Sequence, residues 1–127
     1  MTNQAAFDAA LRLIGEEPGA ADIGDYTARG PHLVCAACRA LGALDRLCRG
    51  ALGHEEPAMP GGGEYALADT FPLCDELLPA AAAHIAAGLL FDENPVQSDR
   101  CFARFTAEAE AVLSSLPAAV EAIAQRY

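Results

Sequence analysis

The chain has 127 residues, with no Trp, Ala at nearly a quarter of its positions, and 18 acidic side chains against eight Arg and no Lys, a formal charge of -10. That length suits one domain with a single modest core two helix layers thick, and the Ala content with few aromatics favours helices over strands. Net acidity argues against nucleic-acid binding as the main role, since displacing counterions needs a basic face; an acidic surface favours a basic partner surface instead.

The first predicted helix covers about residues 3–14, with Thr2 or Asn3 as cap and Gly15 as stop. Phe7, Ala10, Leu11 and Ile14 fall at helical spacing, with Asp8 and Arg12 outside them. Residues 16–24 contain Pro18 and Gly19 and read as a loop. The second predicted helix is the longest, beginning near Asp25 or near Pro31 and reaching about Leu52. Pro31 suits a first turn, which leaves the residues before it as the helix start or as a separate short turn. At 100° per residue Val34, Ala37, Leu41, Leu44, Cys48 and Ala51 share one face. His32, Cys35, Arg39, Arg46 and Arg49 share the other, a basic outer stripe.

Residues 53–63, GHEEPAMPGGG, read as a flexible connection, because three consecutive Gly and two Pro do not hold regular structure cheaply. Residues 64–73 are expected to be extended, with Tyr65, Leu67 and Phe71 alternating with smaller or polar residues, or to form a short hairpin across the Gly run. The third predicted helix starts at Asp75 or Pro79 and ends at Phe91; it is apolar all round apart from His84 and should be the central, buried one. At about 13 residues its apolar run is shorter than the ~20 needed to span a bilayer. The fourth covers residues 95 to 113 or 116, with Asn94 as cap, Pro95 in the first turn, and Phe102, Phe105, Ala109, Val112 and Leu116 as its inner stripe. Arg104 and Glu108 make a surface i,i+4 pair on it. Residues 117–126 restart a helix or continue the fourth with a kink. The sum is an all-α fold: one domain over residues 1–127, a small bundle of four to five helices, with a Gly/Pro-rich loop or short hairpin, about residues 53–70, inserted between the second and third.

No catalytic constellation stands out. Cys35-Ala-Ala-Cys38 has redox or zinc spacing, but it lies inside a helix rather than at its start, and Cys48, Cys74, Cys101 and the three His are scattered rather than paired. An odd cysteine count, with an opening that lacks a basic region and carries Asp8, points to reduced thiols in a cytosolic compartment. His84 is expected to be a core histidine with one satisfied hydrogen bond, and His32 and His54 to be exposed. Ser98, Ser114 and Ser115 read as helix-surface or helix-end residues. The acidic pairs Glu16-Glu17, Glu55-Glu56 and Asp92-Glu93 are adjacent and do not face each other, so they read as solvated. The chain therefore carries no predicted cofactor, metal or catalytic residue. The stripe Arg39, Arg46 and Arg49 reads either as a solvated face paired with nearby acids or as a docking surface for a neighbour's acidic patch, such as another copy of this chain.

Three pieces carry a family likeness: the whole early helix ending in LRLIGEEP, followed by DYTARGPHLVCAACRAL; then the whole loop, from about residue 53, ending in ADTFPLCDELLP; then AAAAHIAAGLLFDENPVQSDRCFARFTAEAEAVL. Together they cover about three quarters of the chain and resemble the small helical head–tail connector proteins of tailed phages and prophages. The resemblance implies a small helical bundle with an extended loop or hairpin, sitting between portal and tail and acting by protein–protein contact in a ring, without an active site. It implies partners in further copies of the chain and in phage portal and tail proteins, and a place in the bacterial cytoplasm with assembly into a virion. The family's loop maps to residues 53–70. Tyr65 within that span and Phe71 just after it join Arg39, Arg46 and Arg49 as candidate protein-interaction residues. Two rival readings remain: a helical adaptor or regulatory protein acting as a homodimer through the Ala-lined helix over residues 80–90, and a metal or thiol protein using Cys35, Cys38 and one or two further Cys.

Overall fold

Helix α4 (Leu78–Leu90) is the element the others are built around. Its sequence LPAAAAHIAAGLL has almost no polar side, so a stable fold must cover it nearly everywhere. Helices α1 (Asn3–Leu13), α2 (Gly24–Ala40) and α5 (Pro95–Ser115) pack on it, and α3 (Gly42–Leu52) completes a small all-α bundle, five α-helices among the described residues. This computed structural model describes residues 1–53 and 59–116. The expected segment at residues 117–126, the placement of His54 and the Glu55-Glu56 pair lie outside the described residues.

Small side chains let the helices meet. Ala80, Ala81, Ala83, Ala86 and Ile85 are fully buried on α4. At Gly88 the approach is closest: a Cβ there would stand 2.7 Å from Leu33 Cδ2 of α2. Phe7 and Leu11 of α1, Val34 of α2, and Leu77, Ile85 and Leu89 fill the remaining core, each contributing roughly 1.5–3 kcal/mol by burial. Among the described residues no helix is long and apolar enough to cross a membrane.

Helix α1 ends as its sequence dictates. Gly15 adopts φ +80°, the Glu16 N–H donates to Leu11 at 2.9 Å, and the Gly15 N–H donates to Arg12 at 3.2 Å. These bonds satisfy the last carbonyls of the helix. Its start differs from expectation: the Thr2 side chain makes no capping bond. The loop before α4 caps it instead. The backbone N–H groups of Asn3 and Gln4 donate to the carbonyls of Asp69 and Leu67 at 2.9 and 2.8 Å, the Asn3 side chain donates to Ala66, and the Phe71 N–H donates back to Met1. Apart from one isolated bridge between Thr2 and Thr70, residues 64–73 pair with nothing as a strand. The extended or hairpin reading is thereby corrected: backbone groups that would make a ladder are used on the end of α1 and on α2, where the Tyr65 N–H donates to Pro31.

The second predicted helix is two helices. Pro31 lies inside α2, not in its first turn, and the residues before it belong to the same helix rather than to a separate turn. The chain then bends at Leu41 (φ -99°, ψ 1°), beside Gly42, a weak helix former, before α3 begins. Gly53, at φ +74°, stops α3. The bend changes which residues face inward. Cys35 is 2% exposed, not on the outer stripe. Asp45 is 3% exposed, and Arg49 has turned in to meet it. Asp45 accepts the Cys74 N–H on one oxygen at 2.8 Å and Arg49 Nε on the other at 2.9 Å, while the same guanidinium donates to the Pro72 carbonyl at 3.0 Å. One buried carboxylate thus ties α3 to the chain entering α4.

The turn from α4 to α5 is also held by side chains. Asn94 caps α5 by accepting the Gln97 N–H at 3.2 Å, with Pro95 in the first turn as predicted. Ser98 is buried rather than on the surface, donating to the Ala87 carbonyl at 2.7 Å. Arg29 donates to the Leu89 carbonyl at 3.2 Å, a cation at the end of α4 where the helix dipole favours one. The Tyr26 hydroxyl donates to the Glu93 carboxylate, and that bond, with burial, pushes the phenol up to about 12. Arg104 and Glu108 pair on the surface of α5 at 3.9 Å.

Asp45→Ala leaves the Cys74 N–H without its acceptor and the largely buried Arg49 without its carboxylate partner. Urea denaturation should show a loss of about 2–4 kcal/mol for this variant. The double variant D45A/R49A should lose less than the sum of the two single losses; strict additivity would mean the two residues are not coupled.

Candidate functional site

The candidate interaction residues do not converge on one surface. Tyr65 and Phe71 are 3% and 5% exposed. The Tyr65 hydroxyl donates to the Pro60 carbonyl at 3.1 Å, which folds the Gly run back on its own base. Arg39 is exposed on α2 but its guanidinium donates to the Gly62 carbonyl, and His32 reaches Gly63 at 3.2 Å and the Glu64 carboxylate at 2.9 Å. These contacts seat residues 60–65 along α2. Arg49 is committed to Asp45 and Pro72. Arg46 alone of the five is exposed and pairs with no described residue.

A groove lies where α2, α4 and the start of α5 meet. It encloses about 440 Å³ and is lined by Leu33, His84, Gly88, Phe91, Asp99 and Phe102, among others. Gly88 shapes its floor, since any side chain there would drive Leu33 aside. Phe91 is 70% exposed and Phe102 is 53% exposed. The expected inner stripe of α5 is corrected at Phe102: α5 buries Ser98 and Cys101 and packs Phe105 against the core, which leaves Phe102 on the flank facing the groove.

Two polar groups sit in this apolar setting. His84 is half-buried, with its ring edge-on to Phe105 at 4.9 Å and tilted against Phe102 at 6.4 Å. No hydrogen bond to His84 is present among the described residues, in place of the single satisfied bond expected of it. Burial disfavours its cation and lowers its pKa below 6.5. Asp99 is exposed on α5 and pairs with no described cation.

All five thiols are free and buried. Burial pushes Cys38 up to about 12 and Cys74 to about 11, the latter helped by the neighbouring Asp45, and raises Cys48 and Cys101 as well. These four thiols stay protonated at neutral pH, the form that is a poor nucleophile and a poor metal ligand. Among the described residues no group of three or more His, Cys, Asp or Glu is placed to hold a metal ion.

The residues that sequence reasoning passed over are Asp45, Asp99 and the exposed face of α3. Asp45 carried a legible signal: it sits four residues after Leu41 and three before Cys48, on the apolar side, with an Arg four residues on. Asp99 carried none, because a surface Asp on an amphipathic helix is ordinary. No protein-family model, no curated protein and no solved structure matches the chain.

The lowered pKa of His84 sets a pH dependence. Its neutral form is favoured in the fold, so its contribution is present above pH 6.5 and lost as pH falls below that value. NMR titration should place His84 below 6.5, and His84→Gln should flatten the fall in thermal midpoint on acidification. An unchanged acid limb in H84Q would assign that loss to other groups.

Proposed function

We propose that this chain is a non-enzymatic virion structural protein of a tailed phage or prophage, a head–tail connector acting by protein–protein contacts in a ring. It is made in the bacterial cytoplasm, and its partners are further copies of itself and the phage portal and tail proteins. The sequence resemblance supports this reading, and so does the element order: a helix, a long helical region that opens with Asp25 and Tyr26 in its first turn, a Gly-rich connection, then two packed helices.

The observation that carries most weight is the placement of large apolar side chains on the outside. Phe91, Phe102 and Val96 are 70, 53 and 64% exposed around the α4–α5 turn, and Leu47 and Leu52 are 44 and 41% exposed on α3. Clustered exposed apolar groups are what contact proteins carry. Nearly all of the Ala-lined helix over residues 80–90 that the rival dimer would use is buried within the chain, which favours the connector reading over it.

The reading is tested by mass spectrometry of purified particles after inducing the host's prophages. This chain should appear at several copies together with portal and tail proteins. Intact particles that contain the other neck proteins but lack this one would overturn it.

A further inference from the structure

Two surfaces of the chain fit each other. Ala43, Arg46, Leu47 and Gly50 fall at i, i+3, i+4 and i+7 on α3, and all four are exposed. Leu47 stands on this face between a methyl group and a bare backbone, so it projects as a knob with low ground on either side. Arg46 beside it has no partner among the described residues. The groove between α2, α4 and α5 is the counterpart. Its walls are Leu33, Phe91 and Phe102, its floor is Gly88, and the unpaired Asp99 stands at its rim.

One copy cannot join its own two patches. The bond from Asp45 to the Cys74 N–H sets α3 beside the chain entering α4 at its N-terminal end. Phe91 and Gly88 mark the other end of that helix. Thirteen residues of helix separate the ends by about 20 Å. Charge decides among copies. Groove against groove would put two Asp99 carboxylates into one interface without either Arg46, and α3 against α3 would put two Arg46 guanidinium groups into one interface without either Asp99. Knob in groove brings Arg46 to Asp99, a pairing that matters more in a chain whose charge of -10 otherwise repels its copies.

Building on the contact role above, we propose that the α4–α5 groove receives the α3 face of a second copy, with Leu47 against Phe91 and Phe102 and Arg46 beside Asp99. Such a contact is heterologous, so it leaves each copy with one unused patch and propagates until a ring closes. Each contact is small, and closure supplies the avidity.

The test uses the full chain in sedimentation velocity across micromolar to millimolar concentration. Wild type should associate, and Leu47→Asp and Phe102→Asp should each weaken association by about tenfold or more. Mixed in equal amounts, L47D and F102D should form a one-to-one dimer that grows no further, because one variant keeps a good groove and the other a good knob. The charge exchange R46E/D99R should recover association that R46E alone loses. Far-UV helicity and thermal midpoint check that the variants fold; if F102D does not, D99R takes its place in the mixture, since Asp99 is exposed and unpaired. A wild type that stays monomeric throughout, or variants that associate in wild-type fashion, would overturn the proposal. So would a mixture that fails to pair while wild type associates. Association without incorporation into particles would sink the connector reading and leave the interface standing; incorporation without knob-in-groove pairing would do the reverse.

Discussion

The structure depends on a helix with almost no side chains of its own to spare. Helix α4 is surrounded by α1, α2 and α5, and a helix so enclosed must present small residues wherever a neighbour's backbone comes near. The run of Ala and the single Gly88 meet that demand. Leu33 lies where a Cβ of residue 88 would be, 2.7 Å away. The large residues of α4 itself are concentrated at Ile85 and Leu89, and Phe7, Leu11 and Val34 of the surrounding helices fill the space its Ala residues leave. Packing of this kind tolerates little change in volume.

Polar groups do the joining that an Ala-rich core leaves undone. Small side chains hold helices close but specify their register weakly. Register is set instead by a few directed bonds: Asp45 to Cys74 and Arg49, Ser98 to Ala87, Arg29 to Leu89, and Tyr26 to Glu93. Each links a helix to a turn or to the end of another helix. The Gly-rich connection takes part on the same terms. Its carbonyls at Gly62 and Gly63 are bound by Arg39 and His32, so a segment without side chains contributes through its backbone. The outer Arg stripe inferred from periodicity divides accordingly: Arg39 holds a loop, Arg49 holds a buried acid, and Arg46 is left over.

What could be read in the sequence is what local chemistry decides. The stop of α1 at Gly15, the cap of α5 at Asn94, and the buried character of residues 78–90 follow from neighbouring residues, and the structure has them. So does the all-α architecture. The inward turn of Arg49 depends on residues far away in sequence, Pro72 and Cys74, and periodicity carries no trace of them; the bend at Leu41 has a local cause in Gly42, which the apolar periodicity running across it hides. Tyr65 and Phe71 look like surface candidates in a Gly-rich stretch because nothing nearby shows that the start of α1 and Pro31 lie beneath them. For the groove, His84 was visible as an oddity on an apolar helix. Its walls were not, because Phe102 fits an inward stripe equally well until α5 is docked.

The capping of α1 by residues 66–71 has a consequence for how the chain reaches its native state. The first helix has no side-chain cap, and its leading amides wait for carbonyls more than sixty positions downstream. Alone, an eleven-residue helix is too short to persist in water. During synthesis the N-terminal segment must therefore stay unsettled until the middle of the chain has emerged, and only then does it lock in place. The loop closure this requires raises the contact order of an otherwise helical protein, and folding should be slower than its helix content suggests.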